Sequence, residues 1–256
     1  MSGGRQLQIT KAQHVFLRSC LVHFRGAGGK LEIRDLKTGR VSRIGPDRPP
    51  FVTERSWDHR TESGLMHEVE TAFGQVSAPI RKGEVLTLKP EQHQAVTAMY
   101  ALWMLRAHRA REPFADIKIN RQFEQRAEHT AAVVDQMEAH GIITVTPDGS
   151  LLGRQLAGPQ LQLDFDRALN ELSGVTWGVV RAADGAGEFS IPDSPERVLY
   201  LPLTPRIALA SGWSDGVIDR TGVWSFNTAA FQHARDFIAA RCLSACPCRS
   251  FREATV

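Results

Sequence analysis

Pro90 to Leu105 reads PEQHQAVTAMYALWML. Proline suits the first turn of a helix, where its missing N–H costs nothing. Val96, Met99, Tyr100 and Trp103 then recur at helical spacing, and Leu102 and Leu105 widen that apolar face. The stretch is therefore expected to be a central helix, and its apolar run, Ala95 to Leu105, is interrupted at Thr97 and too short to span a membrane.

Upstream, Leu65, Met66, Val69 and Phe73, continued by Val76 and Ile80, place a second helix after Thr61-Glu62-Ser63, with Glu68 and Glu70 near its positive end. Downstream, a third is expected from about Arg121 to Ala139, stopped at His140-Gly141. Earlier still, Lys30 to Asp35 (KLEIRD), Thr38-Gly39 and Arg40 to Ile44 read as a β-hairpin. His14 to Phe24 is compatible with a short helix or a strand. Ile142 to Val145, Pro147-Asp148-Gly149 and Leu151-Leu152 suggest another hairpin. Strands are expected at Val175 to Val180, Glu188 to Ile191, Arg197 to Leu201 and Arg206 to Ala210, and a closing helix from Asn227, as N-cap, to Ala240.

The order implies an α+β fold: an N-terminal β-hairpin unit, a helical middle, and a C-terminal antiparallel or mixed sheet closed by a helix. It is read as one domain over 1–256, divisible at 1–60, 61–141 and 142–256. With 256 residues, 42% hydrophobic and 23% charged, the composition excludes disorder, collagen-like repeats and disulfide-dense miniproteins. The formal charge of +3 is unevenly placed. Residues 1–48 hold ten Lys or Arg against three acids, while the remainder is net acidic. No apolar segment with a cleavage site opens the chain, so a soluble, cytoplasmic protein with no membrane partner is expected.

Several short signals, taken in order, resemble a bacterial family known only as a domain of unknown function (family 4238). They are His14-Val15-Phe16-Leu17-Arg18 with Phe24 before a glycine-rich turn, then Phe189-Ser190-Ile191-Pro192-Asp193-Ser194-Pro195, Pro202-Leu203-Thr204-Pro205 and Asn227. The family serine before the aspartate is Pro192 here, and its early proline is missing. The resemblance implies a shared fold and carries no activity.

Four sets of residues carry possible chemistry. His14 with Asp193, joined by Glu54 or Glu70, has the composition of a general acid/base pair or a divalent-cation site. The structural alternative is that His14 bonds a buried turn and Asp193 organises an Asx-type turn beside Pro192. Arg106, His108, Arg109 and Arg111, extended by Lys118, Arg121 and Arg126, suit a phosphate-bearing ligand. They equally complement a helix C-terminus. Arg121 to Leu152 has the order of a winged helix, but Glu124, Glu128, Asp135 and Glu138 offset Arg121 and Arg126, which argues against DNA. Cys242, Cys246 and Cys248, with His233, lack the C-x2-C pairs of zinc sites and read as reduced thiols, with no metal expected. Asp164-Phe165-Asp166 reads as a solvated pair. No G-x-S-x-G elbow, Walker loop, H-E-x-x-H or dinucleotide fingerprint is present, which leaves any cofactor unknown.

The leading expectation is a hydrolytic or nucleolytic enzyme acting on a phosphate-bearing ligand. Its catalytic residues would be His14, Glu70 and Asp193, and its ligand-binding residues Arg106, Arg109 and Arg111. Its competitors are a non-catalytic protein-interaction module and, third, a winged-helix DNA binder. Convergence of these residues in one pocket favours the enzyme, and scatter favours the module.

Overall fold

The computed structural model describes residues 9–119, 129–196 and 198–248. The chain begins with β1 (Ala12–His14), the one-turn helix α1 (Arg18–Leu21), the hairpin strands β2 (Leu31–Asp35) and β3 (Val41–Ile44), and β4 (Val52–Glu54). The stretch His14 to Phe24 thus divides between the end of a strand and short helical turns. The expected hairpin forms because Asp35 Oδ1 accepts the N–H groups of Lys37 and Thr38, while Gly39 supplies the left-handed residue, φ +69°, that the turn requires.

The helical middle comprises α2 (His59–Thr61), a single π-turn, α3 (His67–Lys82) and α4 (Pro90–Arg111). Asp58 caps α2 by accepting from Thr61 N at 2.9 Å, and Gly83 ends α3 in the left-handed conformation. Pro90 opens α4 as its sequence implied, and Val96, Met99, Tyr100, Leu102 and Trp103 are all buried. Next come β5 (Ile117–Lys118), α5 (Ala131–Ala139), β6 (Ser150–Leu151) and α6 (Ala157–Glu171). The expected third helix is described only in its second half, since Arg121, Glu124, Arg126 and Glu128 lie outside the described residues. The hairpin expected at Ile142 to Leu152 is reduced to one bridge, Val145 to Leu151. Leu151 instead pairs with Ile117, 34 positions away along the chain, in the two-stranded β5–β6 ladder.

The C-terminal part holds β7 (Trp177–Ala182), β8 (Ile191–Pro192), β9 (Tyr200–Thr204), β10 (Ile207–Ser211), β11 (Gly216–Ile218), α7 (Arg220–His233) and β12 (Phe237–Ala240). The order β11-β7-β10-β9 makes a mixed sheet, with β11 parallel to β7 and the other pairings antiparallel. Strands β7, β9 and β10 are buried on both faces, while β11 is an exposed edge. Val179, Leu201 and Leu209 join the core around α4, while Val180, Tyr200, Ala208 and Ala210 join the core beneath α7. This explains why they read as near-continuous apolar runs. A second sheet, β3-β2-β12-β8, adds the N-terminal hairpin to C-terminal strands. The α+β expectation is met, and a helix closes the mixed sheet.

That helix is displaced from its expected position. Asp219, not Asn227, is the N-cap, accepting from Gly222 N at 2.9 Å, and the helix ends at His233. Phe237 to Ala240 is strand β12, antiparallel to both β2 and β8. Asn227 is fully buried in mid-helix. Its Oδ1 accepts from Ser190 N at 2.8 Å, and its Nδ2 donates to the carbonyls of Glu188 and Pro247. Among the described residues, no helix is long and apolar enough to cross a membrane.

Candidate functional site: an apolar cleft ending in Arg111, Asp193 and Asp236

On α4, Trp103, Ala107, Ala110 and Arg111 fall at i, i+4, i+7 and i+8, so they share one face. The two alanines leave space there. Phe16 after β1 and Phe51 before β4 close one side, and Ile191 on β8 and Phe237 on β12 close the other, around a cavity of about 340 Å³. The Phe16 ring lies 4.6 Å from that of Trp103, and Phe51 meets Phe237 edge to face at 5.9 Å. The cleft therefore lies between the N-terminal unit and the C-terminal strands.

One end of it is polar. Arg111 places Nη2 2.5 Å from Asp193 Oδ2 and Nε 3.0 Å from Asp236 Oδ2, while Nη1 donates to Ala107 O. Asp193 also accepts the N–H groups of Arg235, at 2.9 Å, and Asp236, at 2.8 Å. Its carboxylate thus fastens the turn between α7 and β12, and its side chain is only 1% exposed. Asp236 is held below its ordinary value of 3.8 by Lys37 first and by Arg111 second.

The other residues singled out in the sequence lie elsewhere. Glu70, on α3, accepts from Arg106, which is fully buried on α4. A second carboxylate, Glu62, has Oε1 3.6 Å from Arg106 Nη2, and the guanidinium lies 5.8 Å from the centre of the Trp57 ring. Arg109 donates to Asp164 at 2.9 Å and stacks 4.0 Å over Phe114. Asp164 is thus a partly buried partner on α6, not a solvated one, whereas Asp166 is exposed. Glu54 is exposed on β4, His108 faces Glu112 at 4.0 Å, and Lys118 pairs with Asp148.

His14 ends β1 with Nε2 3.3 Å from Asp47 Oδ1, off the direction of a hydrogen bond, and Asp47 is held by Arg18 at 2.5 Å. Burial, the largest influence, lowers the His14 pKa below its ordinary 6.5 against the opposing pull of Asp47. A folded value below the unfolded one means that the contribution to stability is complete above pH 6.5. It is lost as pH falls below that point, where the unfolded chain takes up a proton that the folded chain resists. His14→Gln is expected to shrink the fall in urea midpoint between about pH 7.5 and pH 5.5. An unchanged fall would show that His14 contributes none of it.

The structure thus brings Arg111 and Asp193 together at the cleft, and Arg106 and Glu70 together beneath α3, but does not gather the candidate residues in one cavity. Glu70 lines a separate shallow depression with His23, His67 and Arg81. Sequence reading missed Asp236 and the apolar lining. The continuous run Phe237 to Ala240, as compatible with a buried strand as with a helix, was the signal that locates Asp236 in a turn.

Among the described residues, no group of three His, Cys, Asp or Glu is arranged to hold a metal. Cys246 and Cys248 donate to the carbonyls of Phe189 and Asn227, each at 3.8 Å, and Cys242 faces Ser244. No family model, curated protein or solved structure matches the chain.

Proposed function

We propose that this chain is a non-catalytic binding module that receives a compact apolar group in the cleft between its N-terminal unit and C-terminal strands. The observation that carries the reading is the contrast between the cleft and the candidate residues. The cleft is lined by aromatic and aliphatic side chains. Arg106, Arg109 and Arg111 each already face a carboxylate. A phosphate group would have to displace these internal partners, so the hydrolase and nuclease readings receive less support. The arrangement of Asp193 also suits a structural tie, because an acid or base acting on a ligand must reach a proton from its resting position.

We further propose membership of the uncharacterised bacterial family that the motifs resemble. In support, the motif segments lie against one another. Phe189 N donates to Pro205 O at 2.8 Å, Asn227 holds Ser190, and Phe16 packs on Trp103 beside Ile191 and Asp193.

Ala110→Trp tests the cleft, since it fills the space at a half-buried position on α4. Anilinonaphthalene sulfonate is expected to bind the wild-type protein with fluorescence enhancement, and the variant about tenfold more weakly, which corresponds to about 1.4 kcal/mol. Thermal midpoints should stay close. Equal binding by a folded variant would remove the cleft from the account.

A further inference from the structure

We infer that the free edge of β3 is a docking strand for an extended acidic peptide. This goes beyond the cleft and does not depend on it. β3 is the terminal strand of β3-β2-β12-β8, and three of its four residues are exposed. The register Leu31 to Ile44, Glu32 to Arg43, Ile33 to Ser42 and Arg34 to Val41, together with the bond from Asp35 N to Arg40 O, fixes which peptide groups are used. Arg40, Ser42 and Ile44 turn their N–H and C=O groups toward β2, so those of Val41 and Arg43 project from the open edge.

Two donors and two acceptors in a row are what an added strand pairs with. The charge around them selects the partner. Lys30, Arg40 and Arg48, at the ends of the hairpin, have no carboxylate partner among the described residues. The nearby acids are occupied: Asp35 by the turn amides, Asp47 by Arg18, and Glu32 by Arg43 and Leu243 N. Lys30, Arg40 and Arg48 therefore leave positive charge around the ends of an open strand. A second copy of this strand would be repelled, whereas a strand carrying Glu or Asp would be attracted. Opposite Val41, which is 52% exposed, an apolar side chain would be favoured, and opposite the adjacent Arg40, on the other face of the strand and without a carboxylate partner among the described residues, an acidic one. The occupant is accordingly an extended segment alternating acidic and apolar residues.

The probe is a capped, dye-labelled heptapeptide, Glu-Val-Glu-Val-Glu-Val-Glu, followed by fluorescence anisotropy with the full chain. Saturable binding that weakens with added salt is expected. Val41→Pro removes an outward N–H at the first residue of an edge strand, where proline is tolerated. It should weaken binding about tenfold without lowering the thermal midpoint appreciably. The double variant Arg40→Gln with Arg48→Gln leaves the backbone intact and should weaken binding while reducing its salt dependence. Equal affinity for the peptide with Lys in place of Glu would overturn the proposal. So would unchanged binding by both variants, or preferential binding of a DNA duplex that the variants bind equally less well.

Discussion

Asp193→Ala should lower the free energy of unfolding by about 3–4 kcal/mol, read from urea denaturation at neutral pH. The carboxylate is buried and accepts from Arg111 and from two successive backbone amides, those of Arg235 and Asp236. Its removal leaves both amides without their acceptor, and a buried unsatisfied donor costs about 1–3 kcal/mol. It also deprives Arg111 of its less exposed partner, although Asp236 remains, which keeps the loss below the upper end expected for a broken buried pair. Asp193→Asn preserves volume but presents an amide donor to other donors, so it should recover only part of the loss. An unchanged urea midpoint in the Ala variant would show that Asp193 is not a tie and would reopen a catalytic role.

Arg106→Ala should cost about 3–5 kcal/mol. Arg106 is 1% exposed, lies between Glu62 and Glu70, and packs over Trp57 and Met66. Its truncation leaves two facing carboxylates without a cation and a void where the side chain lay. Arg106→Met with Glu70→Gln restores volume and removes one of those charges, and should recover a large part of the loss. Because Arg106 does not line the cleft, dye binding at temperatures where the variant is folded should match the wild type. A selective loss of binding with unchanged stability would instead make Arg106 a ligand residue.

The distances along the chain between partners show why this part of the site was hidden from the sequence. Arg106, Arg109 and Arg111 stand together at the end of one helix, which makes them legible as a basic cluster. Their carboxylates lie 36, 55, 82 and 125 positions away, at Glu70, Asp164, Asp193 and Asp236. No local pattern announces that a charge will be neutralised by a residue brought in through tertiary folding. Asn227 poses the same difficulty, because a side-chain amide that caps a helix and one that ties a buried loop are identical in sequence.

Elements governed by local chemistry were legible. The Thr38-Gly39 turn and the apolar face behind Pro90 needed only neighbouring residues to specify them. The final helix was misplaced because Ala230, Phe231, Ala234, Phe237 and Ile238 satisfy a helical period across a real break. The Ala234 backbone, ψ 142°, leaves the helix there, and β12 takes a place between two strands far away along the chain, Ile238 lying opposite Arg34, 204 positions away, and Pro192, 46 positions away. The apolar cleft escaped for a related reason. Phe16, Phe51, Ala110, Ile191 and Phe237 each look like ordinary core, and only their assembly leaves space between them.

The most direct test of the binding account is methyl NMR on protein labelled at isoleucine, titrated with anilinonaphthalene sulfonate. Ile191 lines the cleft, Ile238 is buried in the separate core beneath α7, and Ile142 and Ile143 are exposed beside another depression. Binding in the cleft should give a saturating shift of the Ile191 methyl, with Ile238, Ile142 and Ile143 unmoved. Saturation with Ile191 unmoved and the shifts centred on Ile142 and Ile143 would contradict it.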